Sequence, residues 1–427
     1  MKNKGRGFTL VELLAVIVIL AVILIIAVPK ISDTIKNSKI ASFESSAKTI
    51  ATQAEKKKME LDTLEYSNSI SCSDLVNLND SDYMSCNVYF KDDTAYVTLY
   101  GSGKFEGLQI VNGTKENITV EEVKAPSYGN AASYVNGLYA YDSNTNGLEK
   151  DTTEDGNIRY VGAEPKNYVE FNGETWRIIG VFGSNLKLVR DEILTSYSFD
   201  NKTKEQGIET DNGTNDWTNS YIREFLNDYY YDNADPFICH SKTSGSVETN
   251  EVIDCPTITK LNKDAKDMIQ KNTWYLGGTT WKTNTKPYET YPVNELYTSE
   301  RGTKVYSKHA TTSTDNVGLI YSSDYGYAST DTSCRQNLRA GLTYTNNTDN
   351  GTATCKNNNW LYKDGWWWTM SPYSSYASNV FGVYGGGGLS ASAVFDCRGV
   401  RPSVYLKSNV RIVSGSGTED DKFKLKI

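Results

Sequence analysis

Glu12 is the first residue in this sequence that asks for chemistry. It stands in an apolar run, residues 8–28, that holds no other ionisable side chain and follows a short basic stretch of Lys2, Lys4 and Arg6. A carboxylate at the centre of a bilayer costs roughly 2.5 kcal/mol or more and persists where something pairs with it. Cutting the chain between Gly7 and Phe8 would create a positive α-amine close to Glu12, in the same chain or on a neighbouring helix. That amine would be a suitable partner for Glu12.

Seven cysteines fit an exported protein in which they pair. Sequence leaves connectivity open, but sequence neighbours close the cheapest loops: Cys72 with Cys86, Cys239 with Cys255, and Cys334 with Cys355. Cys397 is left over in a strand-like run and is expected as a buried free thiol. No CxxC spacing exists and the histidines are His240 and His309, so no metal site of the zinc type is expected. Asp142-x-Asn144-x-Asn146-Gly147 matches the first half of a calcium loop, yet Thr153 stands where a bidentate carboxylate belongs. A polar turn is the expected reading there, with calcium as the alternative; no other cofactor is expected.

The glycines at 385–388 lack the Lys-Ser/Thr of a phosphate cradle and read as a turn between strands. Trp366, Trp367 and Trp368, with Tyr373, Tyr376 and Tyr384 nearby, are candidates for a sugar-stacking surface. Core packing of the triplet outweighs that reading, with Trp367 left open. Arg398 and Arg401 are expected to tie the closing strand to a carboxylate. Two histidines in polar loops assemble no serine, histidine and acid constellation, so an enzyme is not expected.

The elements that must position these residues begin with the apolar run. At about 1.5 Å per residue, residues 8–28 form a helix long enough to span a bilayer. Basic charge before it puts the start of the chain in the cytoplasm and the rest outside. Pro29 is expected to kink or interrupt the helix. Beyond it Ile31, Ile35, Ile40, Phe43, Ala47, Ile50 and Ala54 continue an amphipathic helix to about residue 58.

Residues 87–90, 95–100 and 107–111 read as a small antiparallel sheet. Residues 124–159 read as linker. A hairpin over 168–181 turns at Asn172-Gly173, with a third strand at 186–190. Helical character appears at 219–229 and 259–269, and strands at 317–321, 379–384, 391–395 and 400–406. The expected class is α+β, a loop-rich unit closed by its two ends.

The formal charge of −8 becomes about −11 once three basic leader residues are removed, so the bulk repels polyanions and nucleic-acid binding is not expected.

Gly7-Phe8-Thr9-Leu10-Val11-Glu12, with its basic leader, resembles the class III signal of type IV prepilins and pseudopilins. The resemblance implies a prepilin peptidase that cuts after Gly7, N-methylation of Phe8, and a Glu12 that meets the Phe8 amine of an adjacent subunit. It also implies a long pilin helix over 8–58, transmembrane over 8–28, and a β-sheet head over 59–123. The glycine often found before the proline in that family is replaced by Ala21 and its neighbours.

NYVEFNGETWRIIGV, VGLIYSSDYGYAS and the closing W-x-M-S-P with RGVRPSVYL are similar to extracellular domains of low-GC Gram-positive bacteria that are fused to prepilin helices. Their pattern resembles the C-type-lectin-like, formylglycine-enzyme-like fold. That resemblance implies a binding domain over 160–413, followed by a tail over 414–427.

The expected function is a minor or tip pilin subunit in a cell-surface filament, anchored in the membrane and presenting an adhesive domain to a surface or carbohydrate ligand. Its expected partners are prepilin peptidase and other pilin subunits. The alternatives are a tethered binding protein that never polymerises, or a pseudopilin of a secretion or DNA-uptake (competence) machine.

Overall fold

The computed structural model describes residues 10–62, 72, 75–76, 82–91, 93–202, 204–205, 208–209, 213–242, 250–279, 291–338, 355–356 and 358–427. It is mixed α and β, with many strands and few helices.

Helix α1 (Leu10–Asp62) runs on through Pro29 without interruption, because a proline removes one hydrogen bond of the ladder while the turns on either side keep theirs. Its second half buries Phe43, Ala47, Ile50, Ala51 and Ala54, a stripe at three- and four-residue spacing. That stripe lies on a four-stranded antiparallel sheet in the order β1 (Tyr83–Lys91), β2 (Thr94–Gly101), β3 (Leu108–Gly113), β4 (Glu121–Glu122). Val88, Val97, Leu99 and Ile110 meet the helix from the sheet, and Phe43 packs against the rings of Tyr83 and Phe105.

The segment read as linker, 124–159, differs from that reading. It carries helix α2 (Ala131–Asn146) and the strands Leu148–Lys150 and Ile158–Tyr160. Asn130 caps the helix by accepting from the Ser133 amide, and Ala131, Ala132 and Val135 are buried in the main core. Polar composition hid the helix, since only its first half carries the apolar face. Asp142 breaks the helical backbone at φ −157°, and Gly147 ends it at φ 68°.

The main core lies between two sheets. The larger, eleven-stranded among the described residues, follows the order Ile269–Gln270, Pro402–Leu406, Asn185–Arg190, Glu174–Phe182, Tyr168–Phe171, Phe423–Lys426, Arg411–Ser414, Gly129–Asn130, with Gly318–Leu319 pairing beside Pro402–Leu406, and Ile158–Tyr160 beside Glu174–Phe182 carrying Leu148–Lys150. Asn172 and Gly173 turn its hairpin at φ 58° and 72°, the left-handed pair a two-residue hairpin needs. The segment read as tail, 414–427, supplies Phe423–Lys426, which pairs in parallel with Tyr168–Phe171. Early and late strands of the C-terminal unit thus meet inside one sheet.

The smaller sheet runs Thr195–Ser198, Cys397–Val400, Trp367–Pro372, Asn379–Val383, Leu389–Ala393. The expected helix at 219–229 is a turn of 3₁₀ helix (Trp217–Asn219), one of α-helix (Tyr221–Glu224) and a π-helical stretch (Phe225–Tyr231). That at 259–269 shortens to Lys263–Met268.

Candidate functional site

Gly7 and Phe8, the proposed processing residues, lie outside the described residues. Glu12 is exposed in the first turn of α1, where the helix dipole favours a carboxylate. Around it Leu10, Leu13, Leu14, Val16 and Ile17 are exposed as well, and contiguous exposed apolar side chains mark a surface for packing against something else. Among the described residues no helix is long and apolar enough to cross a membrane; the side chains of 18–29 lie outside them.

The C-terminal core holds a charge network that sequence reasoning missed. Lys187, on the strand Asn185–Arg190, donates to Asp324 Oδ2 at 2.5 Å, and Arg159 donates from Nη1 to Asp324 Oδ1 at 2.8 Å. Arg159 Nε also donates to Asp151 Oδ2 at 2.6 Å. All four side chains are sealed, at 2% exposure or less. Burial pushes the Lys187 ammonium down to about 8, against the pull of Asp324. Burial also works to raise Asp324, but Lys187 and Arg159 together hold it at about 2.

Beside this network Glu300 accepts from the Ser323 amide and hydroxyl and from Ser371 Oγ, and burial raises its carboxyl. The sequence signal was Lys187 flanked by Leu186, Leu188 and Val189, all of them buried. Its partners lie at distant positions and could not be read. Two cations facing two carboxylates neutralise one another, and no side chain here reaches solvent.

Trp367 and Trp368 are fully buried, which removes them from any ligand surface. Both faces of their strand are covered: Trp368 Nε1 donates to the Tyr197 carbonyl and its ring meets Phe199, while Trp367 meets Tyr325 and Arg401. Alternation therefore fails as a guide to this triplet. Trp366 is 37% exposed, with the Arg398 guanidinium 4.5 Å from its ring centroid and Tyr384 at 5.5 Å. Arg398 pairs with Asp396 at 2.8 Å. Arg401 differs from expectation: it donates to the carbonyls of Leu361 and Arg190 instead of to a carboxylate, and burial lowers it to about 10.

The structure joins Cys72 to Cys86, Cys239 to Cys255, and Cys334 to Cys355. Cys397 carries a free thiol that is half-buried, not buried as expected, because it opens a strand near the edge of its sheet beside Ser241. Asp142, of the calcium-like loop, accepts the Thr145 amide, and Asn146 donates to the Asp142 carbonyl. The loop is the frayed last turn of α2; among the described residues no group of three acidic, histidine or cysteine side chains could hold a metal. Glycines 385–388 form the turn between Asn379–Val383 and Leu389–Ala393.

Two family models match the chain. Residues 183–408, more than half of it, match the family described as Domain of unknown function (DUF6273). Residues 2–28 match the Prokaryotic N-terminal methylation motif. No curated protein and no solved structure matches.

Proposed function

We propose that this chain, which belongs to the family described as Domain of unknown function (DUF6273), is a type IV pilin-like subunit that carries its C-terminal domain on an extracellular filament. The observation that supports this reading is the N-terminal methylation motif over residues 2–28, which indicates pilin-like processing. In the proposed sequence of events a prepilin peptidase cuts after Gly7, Phe8 is N-methylated, and the apolar run holds the subunit in the membrane until assembly.

Burial of apolar helices supplies the attraction between subunits. Glu12 selects register, because a carboxylate left without its neighbour's α-amine in that core would be penalised. The exposed Leu10, Leu13, Leu14, Val16 and Ile17 around Glu12 are the surface such packing would cover. A domain of this size suits a minor or tip subunit better than the bulk repeating one. No catalytic role is proposed for it.

Mass spectrometry of the mature N-terminal peptide tests the premise. The expected peptide begins with N-methylated Phe8; any other start returns the molecule to a plain tethered ectodomain. Glu12→Ala is expected to leave cleavage intact while reducing the subunit's recovery in sheared filaments several-fold. Equal recovery of both forms would count against the register role.

A further inference from the structure

We propose that Lys187 and Asp324 condense to an intramolecular isopeptide bond. The two groups are in contact at 2.5 Å and are sealed, with side-chain exposures of 0% and 1%. Four rings surround the ammonium, with centroids at 4.4 Å (Tyr321), 5.3 Å (Trp274 and Tyr405) and 5.6 Å (Phe182). Those rings keep out water, the product of the condensation and the reagent of its reversal.

The step balances without any further reactant. The proton that Lys187 shares with Asp324 Oδ2 moves to that oxygen, an uphill transfer because Lys187 and Arg159 hold Asp324 at about 2, leaving a transient neutral amine and neutral acid. The amine lone pair on Nζ attacks Cγ and forms the C–N bond. Charge develops on Oδ1, where Arg159 Nη1 already donates at 2.8 Å, the place at which a preorganised cation lowers the barrier. Oδ2, held by the Tyr321 amide at 3.0 Å, takes a proton from nitrogen and leaves as water when the C–O bond breaks. Ammonium and carboxylate have become amide and water, with no change of oxidation state.

Two general effects favour the forward direction. Groups held at contact react as though at about 10⁵–10⁸ M. A buried lysine whose charge is disfavoured is also the form in which this side chain acts as a nucleophile, and burial lowers Lys187 to about 8. The product removes one cation and one anion from the core, together with their desolvation cost of several kcal/mol per ion. Arg159 keeps Asp151 as its counter-ion, so the core stays neutral.

The test is the mass of the full mature chain. Wild type is expected to weigh one water less than its sequence, after allowance for disulfides and the N-terminal methyl group. Trypsin is expected not to cut after Lys187, and the peptides holding Lys187 and Asp324 should run as one branched species. Lys187→Arg keeps a cation against Asp324 but cannot form the amide, so the missing water should return. Asp324→Asn should give the same branched species by losing ammonia. A wild-type chain of full mass, cleaved after Lys187 into separate peptides, overturns the proposal, and that measurement does not depend on either variant folding.

Discussion

Asp200 shows how one buried carboxyl can set the acid response of the whole domain. Its oxygens accept from the backbone amides of Thr214 at 2.9 Å and Tyr221 at 3.4 Å and from that of Lys202, and burial outweighs these and the Lys202 charge to raise it from 3.8 to about 6. A carboxyl with a folded value above its unfolded one holds its proton more tightly when folded. Its contribution therefore grows as pH falls through about 6 and stops growing below 3.8. The full gain is about 3 kcal/mol, of which about 1 kcal/mol falls between pH 7 and pH 5. Asp200→Asn should flatten that part of the profile, read as the difference between thermal unfolding at pH 7 and pH 5 in the two proteins. His309, which burial lowers, opposes this trend equally in both and cancels. Little of this could be read in the sequence: Asp200 sits in a polar stretch, and only the fold shows that the stretch is covered.

At the scale of elements, the strand Trp367–Pro372 separates core from surface within three consecutive tryptophans. Trp367→Ala or Trp368→Ala is expected to cost about 3–5 kcal/mol, against about 0.5 kcal/mol for the exposed Trp366→Ala, measured as shifts in urea midpoint. An equal cost at all three positions would mean that Trp366 is also core. Elements that announced themselves did so through local backbone chemistry. Asn172-Gly173 fixed the hairpin because its two left-handed residues leave few alternatives. The amphipathic stripe from Phe43 to Ala54 was legible because its period matches a helix. Helix α2 was not, since Asn, Ser and Tyr dominate it and its stability comes from packing of Ala131, Ala132 and Val135. The pairing of Lys187 with Asp324 spans 137 residues, beyond any pattern read along the chain.

At the scale of the molecule, a buried polar side chain bridges two apolar clusters, one under α1 and one in the C-terminal unit. Asn87 of β1 is 1% exposed; it donates from Nδ2 to the Gly183 carbonyl at 3.2 Å and accepts from Ser133 Oγ at 3.2 Å. Gly183 lies in the turn between the strands Glu174–Phe182 and Asn185–Arg190, and Ser133 lies in the first turn of α2, so one amide contacts two elements of the other unit. Removing it strands a buried hydroxyl, a cost of about 1–3 kcal/mol that falls on the joint and on neither core. Asn87→Ala is therefore expected to raise hydrogen exchange in the first turns of α2 by roughly tenfold or more, by the same free energy, while amides of the strand Glu174–Phe182 keep their protection. Faster exchange throughout both units would instead place Asn87 in a core they share. Unchanged exchange at α2 would mean that Pro126, packed beside Gly137 with the Tyr100 hydroxyl, holds the joint without it.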